Sequence, residues 1–115
     1  MLLTEGKVWV CKEPTDMRKA IDGLCILVST STDNNPTSGE IFVFWNKAKN
    51  KIKILFWHVN GFCLLYKRLE KQRFKIPDKF ATHLSVTTKE LRWLLDGLDF
   101  TKLQGHCSEK YDIFY

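Results

Sequence analysis

The chain of 115 residues has the size of a single domain, and it is 44% hydrophobic and 13% aromatic. This apolar content is sufficient for a hydrophobic core, which argues against a disordered chain and removes the need for disulfides or a metal in folding. A net charge of +5 favours anionic partners without identifying one.

From the sequence we expect no secretory signal and no membrane span. No charged amino-terminal region precedes an apolar run, and no stretch approaches about 18 consecutive apolar residues. The four cysteines, Cys11, Cys25, Cys63 and Cys107, have no C-x-x-C spacing. These features predict a cytoplasmic protein with free thiols and no membrane association.

The first predicted elements are a strand over residues 8–11 and a helix over residues 16–30. Asp16 follows a Glu-Pro-Thr turn, where its carboxylate is placed to accept hydrogen bonds from the first amides of a helix. Apolar residues then recur at helical spacing: Met17, Ala20, Ile21, Leu24, Leu27 and Val28. One face of this helix is therefore expected to pack against a core.

Two antiparallel strands are predicted next, after a polar loop over residues 29–39. Residues 41–45 are apolar on both faces of a strand, and residues 51–57 place Ile52, Ile54 and Phe56 on one face. Residues 46–50 form a polar, lysine-rich connection that is typical of a hairpin.

The segment after the Asn60-Gly61 turn combines apolar and basic residues. Phe62, Leu65, Tyr66 and Leu69 follow the spacing of an amphipathic helix. A strand would require Lys67 or its neighbour to share the apolar face. The pattern therefore predicts a short basic helix over residues 62–71.

The last predicted helix covers residues 88–96. Thr87 and Glu90 have the spacing of a capping box, and Gly97 is expected to end the helix in the left-handed conformation. Together the elements predict an α+β fold, a small antiparallel sheet covered by two or three helices in a single domain. Residues 1–100 are expected to form this domain, and residues 101–115 a C-terminal tail.

Basic residues are concentrated between residues 46 and 79, where ten Lys or Arg residues face only Glu70 and Asp78. This segment carries a net charge of +8, which leaves −3 for the rest of the chain. The cluster predicts phosphate binding, and a solvated surface is an equally weighted alternative. The candidate nucleic-acid-binding residues are Lys47, Lys49, Lys51, Lys53, Lys67, Arg68, Lys71, Arg73 and Lys75.

Other kinds of site find less support. Most aromatic residues are expected in the core, with Trp45 and Trp57 as candidates for base stacking. His58, His83 and His106 lack the paired spacing of structural zinc ligands. No nucleophile or phosphate-loop motif is present, and the acidic residues have no evident companions for a two-metal centre. No catalytic residue, metal or cofactor is therefore predicted.

Several strings carry a family resemblance in this order: TDMRKAIDGL (15–24), SGEIFVFWNK (38–47), KILFW (53–57), GFCLLYKRLEKQRF (61–74) with Pro77, and LLDGLD (94–99). They resemble the small TnpB-type accessory protein, the second reading frame, of bacterial insertion sequences of the insertion-sequence-66 family. The resemblance spans about residues 8–99. The RNA-guided nuclease that shares the TnpB name is a different protein and is not implied.

The resemblance implies a role in transposition beside a separate, larger transposase that holds the catalytic acidic residues. The motif positions that it carries over are Asp16, Met17, Arg18, Gly61, Phe62, Tyr66, Glu70 and Phe74. The chain departs from the family pattern in its lysine-rich turn, where arginines are common, and at His58 and Gln72.

We therefore expect a non-catalytic accessory factor that binds DNA through the basic residues, with DNA and the transposase of the same element as partners. The first alternative is an adaptor that docks onto the transposase without contacting nucleic acid, in which case exposed apolar residues such as Leu64 would matter. A metal-dependent nuclease is the weaker alternative. The oligomeric state is left open.

Overall fold

The computed structural model describes residues 7–77, 84–99 and 102. Within them lie strand β1 (Val8–Val10), helix α1 (Ile21–Ser31), strands β2 (Ile41–Trp45), β3 (Lys51–His58), β4 (Gly61–Arg68) and β5 (Leu84–Val86), and helix α2 (Thr88–Leu95). The strands form one five-stranded sheet in the order β4-β3-β2-β1-β5. The predicted small α+β fold is confirmed, whereas the proposed boundary at residue 100 stays a prediction.

The sheet is mixed, and not antiparallel throughout as the sequence predicts, because β1 has one parallel and one antiparallel neighbour. β1 pairs in parallel with β2 and antiparallel with β5. The pairs β2–β3 and β3–β4 are both antiparallel. Parallel neighbours need a crossover connection, and here the crossover contains α1. The predicted hairpin of β2 and β3 is confirmed, while β5 has no counterpart in the prediction.

Each face of the sheet is covered by one helix. On the α1 face, Leu24 and Val28 pack against Phe42, Phe44 and Leu55. The opposite face carries a larger cluster made by α2, by the segment 69–77 and by the alternate strand residues: Val8, Val10, Ile41, Val43, Trp45, Ile52, Ile54, Phe56, Phe74, Ile76, Val86, Leu91, Trp93 and Leu94. With cover on both sides, β2 is buried at every position, as its uninterrupted apolar sequence predicts.

The predicted helix over residues 62–71 is wrong, since residues 61–68 form strand β4. Phe62 and Leu64 pack on the α1 face and Cys63 packs on the α2 face, so apolar residues serve both sides of the strand. Lys67 and Arg68 occupy its exposed end, where neither has to be buried. Pairing along the whole length of β3 therefore overrides the helical spacing of the sequence.

The predicted role of Asp16 as a helix cap is also wrong. Helix α1 begins at Ile21 rather than at residue 16, and its N-cap residue, Ala20, makes no side-chain cap hydrogen bond. The Asp16 carboxylate accepts a hydrogen bond from the backbone amide of Arg18 at 2.9 Å. This local bond satisfies the carboxylate in a turn and competes with its use at a helix start.

Helix α2 has both of its predicted ends. The Thr87 hydroxyl accepts a hydrogen bond from the Glu90 amide at 3.1 Å, and the Glu90 carboxylate accepts one from the Thr87 amide at 2.8 Å. After the helix, Gly97 has a φ of +84°, and the Leu98 amide donates to the Trp93 carbonyl at 2.9 Å. The capping box and the left-handed stop are therefore confirmed.

Candidate nucleic-acid interface

The two basic segments of the sequence lie side by side in the sheet. Strands β3 and β4 pair in continuous register, which sets Lys51 opposite Arg68 and Lys53 opposite Tyr66 on the α1 face. Like charges that face each other across two strands destabilise a sheet. Glu70 offsets part of this repulsion through an ion pair with Arg68, whose Nη2 lies 2.9 Å from Oε1. Positive charge is thus concentrated at this end of the hairpin.

Lys53 fastens the irregular segment 15–19 to the sheet. Its Nζ donates hydrogen bonds to the carbonyls of Met17 and Lys19, at 2.7 and 2.8 Å. The same ammonium group lies 5.6 Å from the centre of the Tyr66 ring, within cation–π distance. Carbonyls and an aromatic face leave the ammonium charge uncancelled. Lys53 therefore has a structural role and still contributes to the positive potential.

The same segment contributes an ion pair. The Nη2 of Arg18 lies 2.7 Å from Oδ2 of Asp16, and both side chains are exposed. Hydrogen bonds from the Arg18 side chain and backbone lower the pKa of Asp16 from its ordinary 3.8 to about 2. Asp16 is therefore ionised at neutral pH, and its charge is matched by its neighbour.

These residues border an open depression of about 540 Å³ at the end of the sheet. The basic side chains that line it are Arg18, Lys47, Lys51 and Lys53, and the acidic one is Asp16. Tyr66, which is 53% exposed, adds an aromatic surface. The depression therefore joins one family motif, at residues 15–18, to another in β4 through the lysine-rich turn.

The turn that carries Lys47 has a fixed geometry. The Oδ1 of Asn46 accepts hydrogen bonds from the backbone amides of Asn50 and Lys51, at 3.1 and 2.9 Å. Lys47 is exposed and Lys51 is half-buried, and no hydrogen bond of either side chain is found within the described part of the chain. These two ammonium groups are therefore available to an incoming anion.

Two other predicted residues hold the segment 69–77 against this turn. The Nζ of Lys49 lies 3.2 Å from the Ile76 carbonyl, and the Nη1 of Arg73 lies 2.5 Å from the Ala48 carbonyl. The backbone amide of Phe74 donates to the Lys49 carbonyl at 2.7 Å. The two predicted basic segments are thus in direct contact beyond the strands as well.

The remaining predicted residues lie away from the depression. Lys67 faces α2, and its Nζ donates to the Leu95 carbonyl at the end of that helix, at 2.6 Å. Lys71 and Lys75 are exposed on the segment 69–77 and do not line the depression. Lys79, the last member of the basic run, lies outside the described residues.

Most of the other family-motif residues have packing roles. Met17 and Phe62 pack against the α1-face core, and Phe74 is only 1% exposed on the α2 face. Gly61 begins β4, and Glu70 pairs with an arginine of the same motif. Of the motif residues, Asp16, Met17, Arg18 and Tyr66 line the depression.

Among the described residues, the exposed aromatic side chain is that of Tyr66 and not of either expected tryptophan. Trp45 is buried, and its indole N–H donates to the Cys11 carbonyl at 2.6 Å. Trp57 is half-buried and meets Phe62 edge-on, with ring centres 5.0 Å apart. Tyr66 is more exposed than either tryptophan, because it lies on the edge strand. Trp45 is therefore wrong as a stacking candidate.

Arg18 and Tyr66 line the depression, but the sequence identifies them only as positions in the family motifs and not as candidate binding residues. Arg18 is far from the basic run in the sequence, and it reaches the depression because Lys53 holds its segment against the sheet. The sequence pattern places Tyr66 on the apolar stripe of a helix. No charge count identifies either position, since both depend on tertiary contacts.

A second cavity, of about 400 Å³, lies between α1 and residues 11–16. Trp9, Cys11, Leu27 and Phe42 form much of its apolar lining. Burial raises the pKa of the Cys11 thiol to about 12, which keeps it protonated and poorly nucleophilic at neutral pH. The sequence gives no signal for this cavity.

The described residues contain neither a cluster of metal ligands nor a membrane-spanning helix. Within residues 7–77 and 84–99, no group of three or more His, Cys, Asp or Glu side chains is arranged to hold a metal ion. Neither of the helices in the described ranges has the length and apolar character needed to cross a membrane.

Comparison with known proteins supports the family resemblance. The profile of one family, described as IS66 Orf2 like protein, matches residues 6–105. The uncharacterized protein y4hO of Sinorhizobium fredii is 31% identical over 94 residues, which cover 82% of each chain. The uncharacterized protein y4jC of the same organism is 31% identical over 98 residues, which cover 85% of this chain and 84% of that one. No solved structure matches.

Proposed function

The chain belongs to the family of IS66 Orf2-like proteins, which are transposition-associated accessory proteins, and on this premise we propose that it binds DNA without itself carrying out catalysis. The observation that carries the proposal is the basic depression, where Arg18, Lys47, Lys51 and Lys53 converge from two distant parts of the chain. Asp16, the one acidic side chain among the described residues that line it, is already paired. A concave basic surface of this kind suits the phosphate backbone.

The opposition of Lys51 and Arg68 supports an anionic partner. Two positive side chains at one register position weaken the sheet in the free protein. A phosphate placed between them would turn that repulsion into two attractive contacts. Tyr66, at the next position of the same face, would lie against a sugar or a splayed base.

The proposal predicts a salt-dependent affinity for duplex DNA. With about three phosphate contacts, affinity should fall roughly 10- to 100-fold between about 50 and 200 mM salt. Fluorescence anisotropy with a labelled duplex of about 24 base pairs measures this, since such a length exceeds the footprint of one small domain. Absence of binding at the lowest salt would contradict the proposal.

Substitutions assign the binding to the depression. Lys47→Gln and Lys51→Gln should each weaken binding and reduce the salt slope by about one. Arg92→Gln is the matched control, because Arg92 is an exposed cation on α2 and does not line the depression. Equal losses in all three variants would mean that the protein binds DNA through its overall charge.

Fewer structural features support the alternative function as an adaptor that docks onto the transposase. Leu64, the residue expected to serve it, packs partly against the α1-face core, whereas Leu65 is 36% exposed. Co-purification with the transposase that survives nuclease treatment and Lys51→Gln would favour the adaptor over DNA binding.

A further inference from the structure

Within the described part of the chain, the outer edge of β4 over residues 61–66 has none of the usual protections of an edge strand, and charged residues occur only at its end, at Lys67 and Arg68. Exposed edges are normally short, bulged or interrupted by charged residues or proline. β4 is eight residues long and pairs with β3 in unbroken register. Residues 61–66, GFCLLY, contain no charge and no proline. The opposite edge strand, β5, has only three residues.

The hydrogen-bond pattern identifies which backbone groups face outward. The Leu69 amide donates to the Asn50 carbonyl at 2.8 Å, just beyond the β3–β4 ladder. Because inward and outward groups alternate along an antiparallel strand, the odd-numbered residues of β4 bond to β3. The N–H and C=O groups of Phe62, Leu64, Tyr66 and Arg68 then point away from the sheet. No strand among the described residues pairs with them.

We propose that β4 pairs antiparallel with β4 of a second copy of this chain, with Leu64 on the two-fold axis. This register places Leu64 opposite Leu64 of the second copy, and Phe62 opposite Tyr66. On the α2 face it places Cys63 opposite Leu65. The outward backbone groups of both strands are satisfied, and the two sheets become one. The pairing is independent of DNA binding.

The charge distribution along β4 favours this occupant and this direction. Lys67 and Arg68 follow the uncharged residues 61–66 at one end of the strand. Antiparallel pairing about Leu64 places Lys67 and Arg68 of one copy opposite two uncharged residues of the other copy, Gly61 and Asn60. Parallel pairing would set the basic residues of the two copies against one another, which destabilises a ladder. The strand is therefore complementary to itself in one orientation.

Sedimentation equilibrium of the full chain without nucleic acid tests the association. At up to about 100 μM, a range that detects micromolar affinities, wild type should give twice the chain mass of 13.5 kDa. Leu65→Lys should weaken the dimer about tenfold or more, because symmetry places the two new charges diagonally across the axis. Ile26→Lys is the matched control, since Ile26 is an exposed apolar residue of α1, 62% exposed. A monomeric wild type, or equal effects of the two lysines, would overturn the proposal.

Disulfide trapping tests the register. Residues 63 and 65 of opposite copies form a non-hydrogen-bonded pair with Cα atoms about 4.5 Å apart, within the range that a disulfide can bridge. Under mild oxidation, Leu65→Cys should give a covalent dimer through the native Cys63 of the other copy, and adding Cys63→Ala should abolish it. Val59→Cys, at the exposed hairpin tip, is the control. A covalent dimer that forms equally in Val59→Cys, or that survives Cys63→Ala, would contradict this register.

Discussion

At the scale of single residues, Asp16 and Arg18 show how a motif can fix charge without adding much stability. Their ion pair is formed between exposed side chains two positions apart, and such pairs contribute little to the free energy of folding. The pair does orient the Arg18 guanidinium at the rim of the depression. Because Arg18 neutralises the charge of Asp16, the nearby lysines dominate the electrostatic potential of the depression.

The pKa of Asp16 tests this arrangement. Arg18 lowers it from 3.8 to about 2, so the pair favours the folded state above about pH 4 and loses this effect as the pH falls towards 2. Arg18→Gln should return the pKa towards its ordinary value. An NMR titration of the Asp16 side-chain carboxyl carbon measures the change. Lys19→Gln is the control and should have a smaller effect, because Lys19 acts only through its charge. An unchanged pKa in Arg18→Gln would refute the ion pair.

At the scale of elements, β4 explains where a sequence pattern misleads. Phe62, Leu65, Tyr66 and Leu69 have helical spacing, but Phe62 and Leu64 on one face and Cys63 on the other fit a covered strand equally well. The deciding contribution is the ladder with β3, which is a pairing between segments. The sequence of β4 alone therefore does not indicate which strand it pairs with.

Other elements were predictable to the extent that their signals were local. The α2 capping box and its glycine stop are set by neighbouring residues, and both were predicted from Thr87, Glu90 and Gly97. The sequence places the start of α1 too early, because Asp16 accepts a hydrogen bond from the Arg18 amide and does not cap the helix, which begins at Ile21. The parallel pairing of β1 with β2 joins residues separated by a crossover, so no local turn motif in the sequence predicts this pairing.

Lys67 provides a prediction at this scale. Its ammonium group bonds to the Leu95 carbonyl at the C-terminus of α2, where a cation is favoured by the helix dipole. Lys67→Met keeps the aliphatic stem and removes the charge, so the free energy of unfolding should fall by about 0.5–1 kcal/mol. Urea denaturation measures this, with Lys71→Met as the control at an exposed position. A loss no larger than that of the control would contradict the contact.

At the scale of the whole molecule, the sequence predicts the positive charge of the candidate site but not its concave shape. The run of lysines from 47 to 53 and the basic end of β4 were identified from composition alone, and the sheet brings them together. The concavity arises because Lys53 draws residues 17–19 over the sheet. That contact joins positions far apart in the chain, and the sequence contains no periodicity that reports it.

The proposed pairing of two β4 strands extends this surface. In a continuous antiparallel sheet, side chains at facing positions share one side, so both basic depressions would open on the same face. Arg68 lies four positions from Leu64, which separates the two Arg68 Cα atoms by about 27 Å at 3.4 Å per residue. A straight duplex covers that distance with about eight base pairs.

This geometry makes DNA affinity depend on duplex length. A duplex of about 24 base pairs can contact both depressions, whereas a stem of about six base pairs can contact only one, so pairing should raise affinity for the longer DNA about tenfold or more. Leu65→Lys should remove this gain while leaving binding to the short stem equal to that of Ile26→Lys, which adds the same charge. Anisotropy titrations of both variants with both DNAs measure the difference.

If the two variants bind the long duplex equally while sedimentation shows that only one of them is dimeric, each copy binds DNA alone. If neither variant binds either DNA, the proposed DNA-binding function is wrong, and the pairing of β4 is judged by sedimentation and disulfide trapping alone.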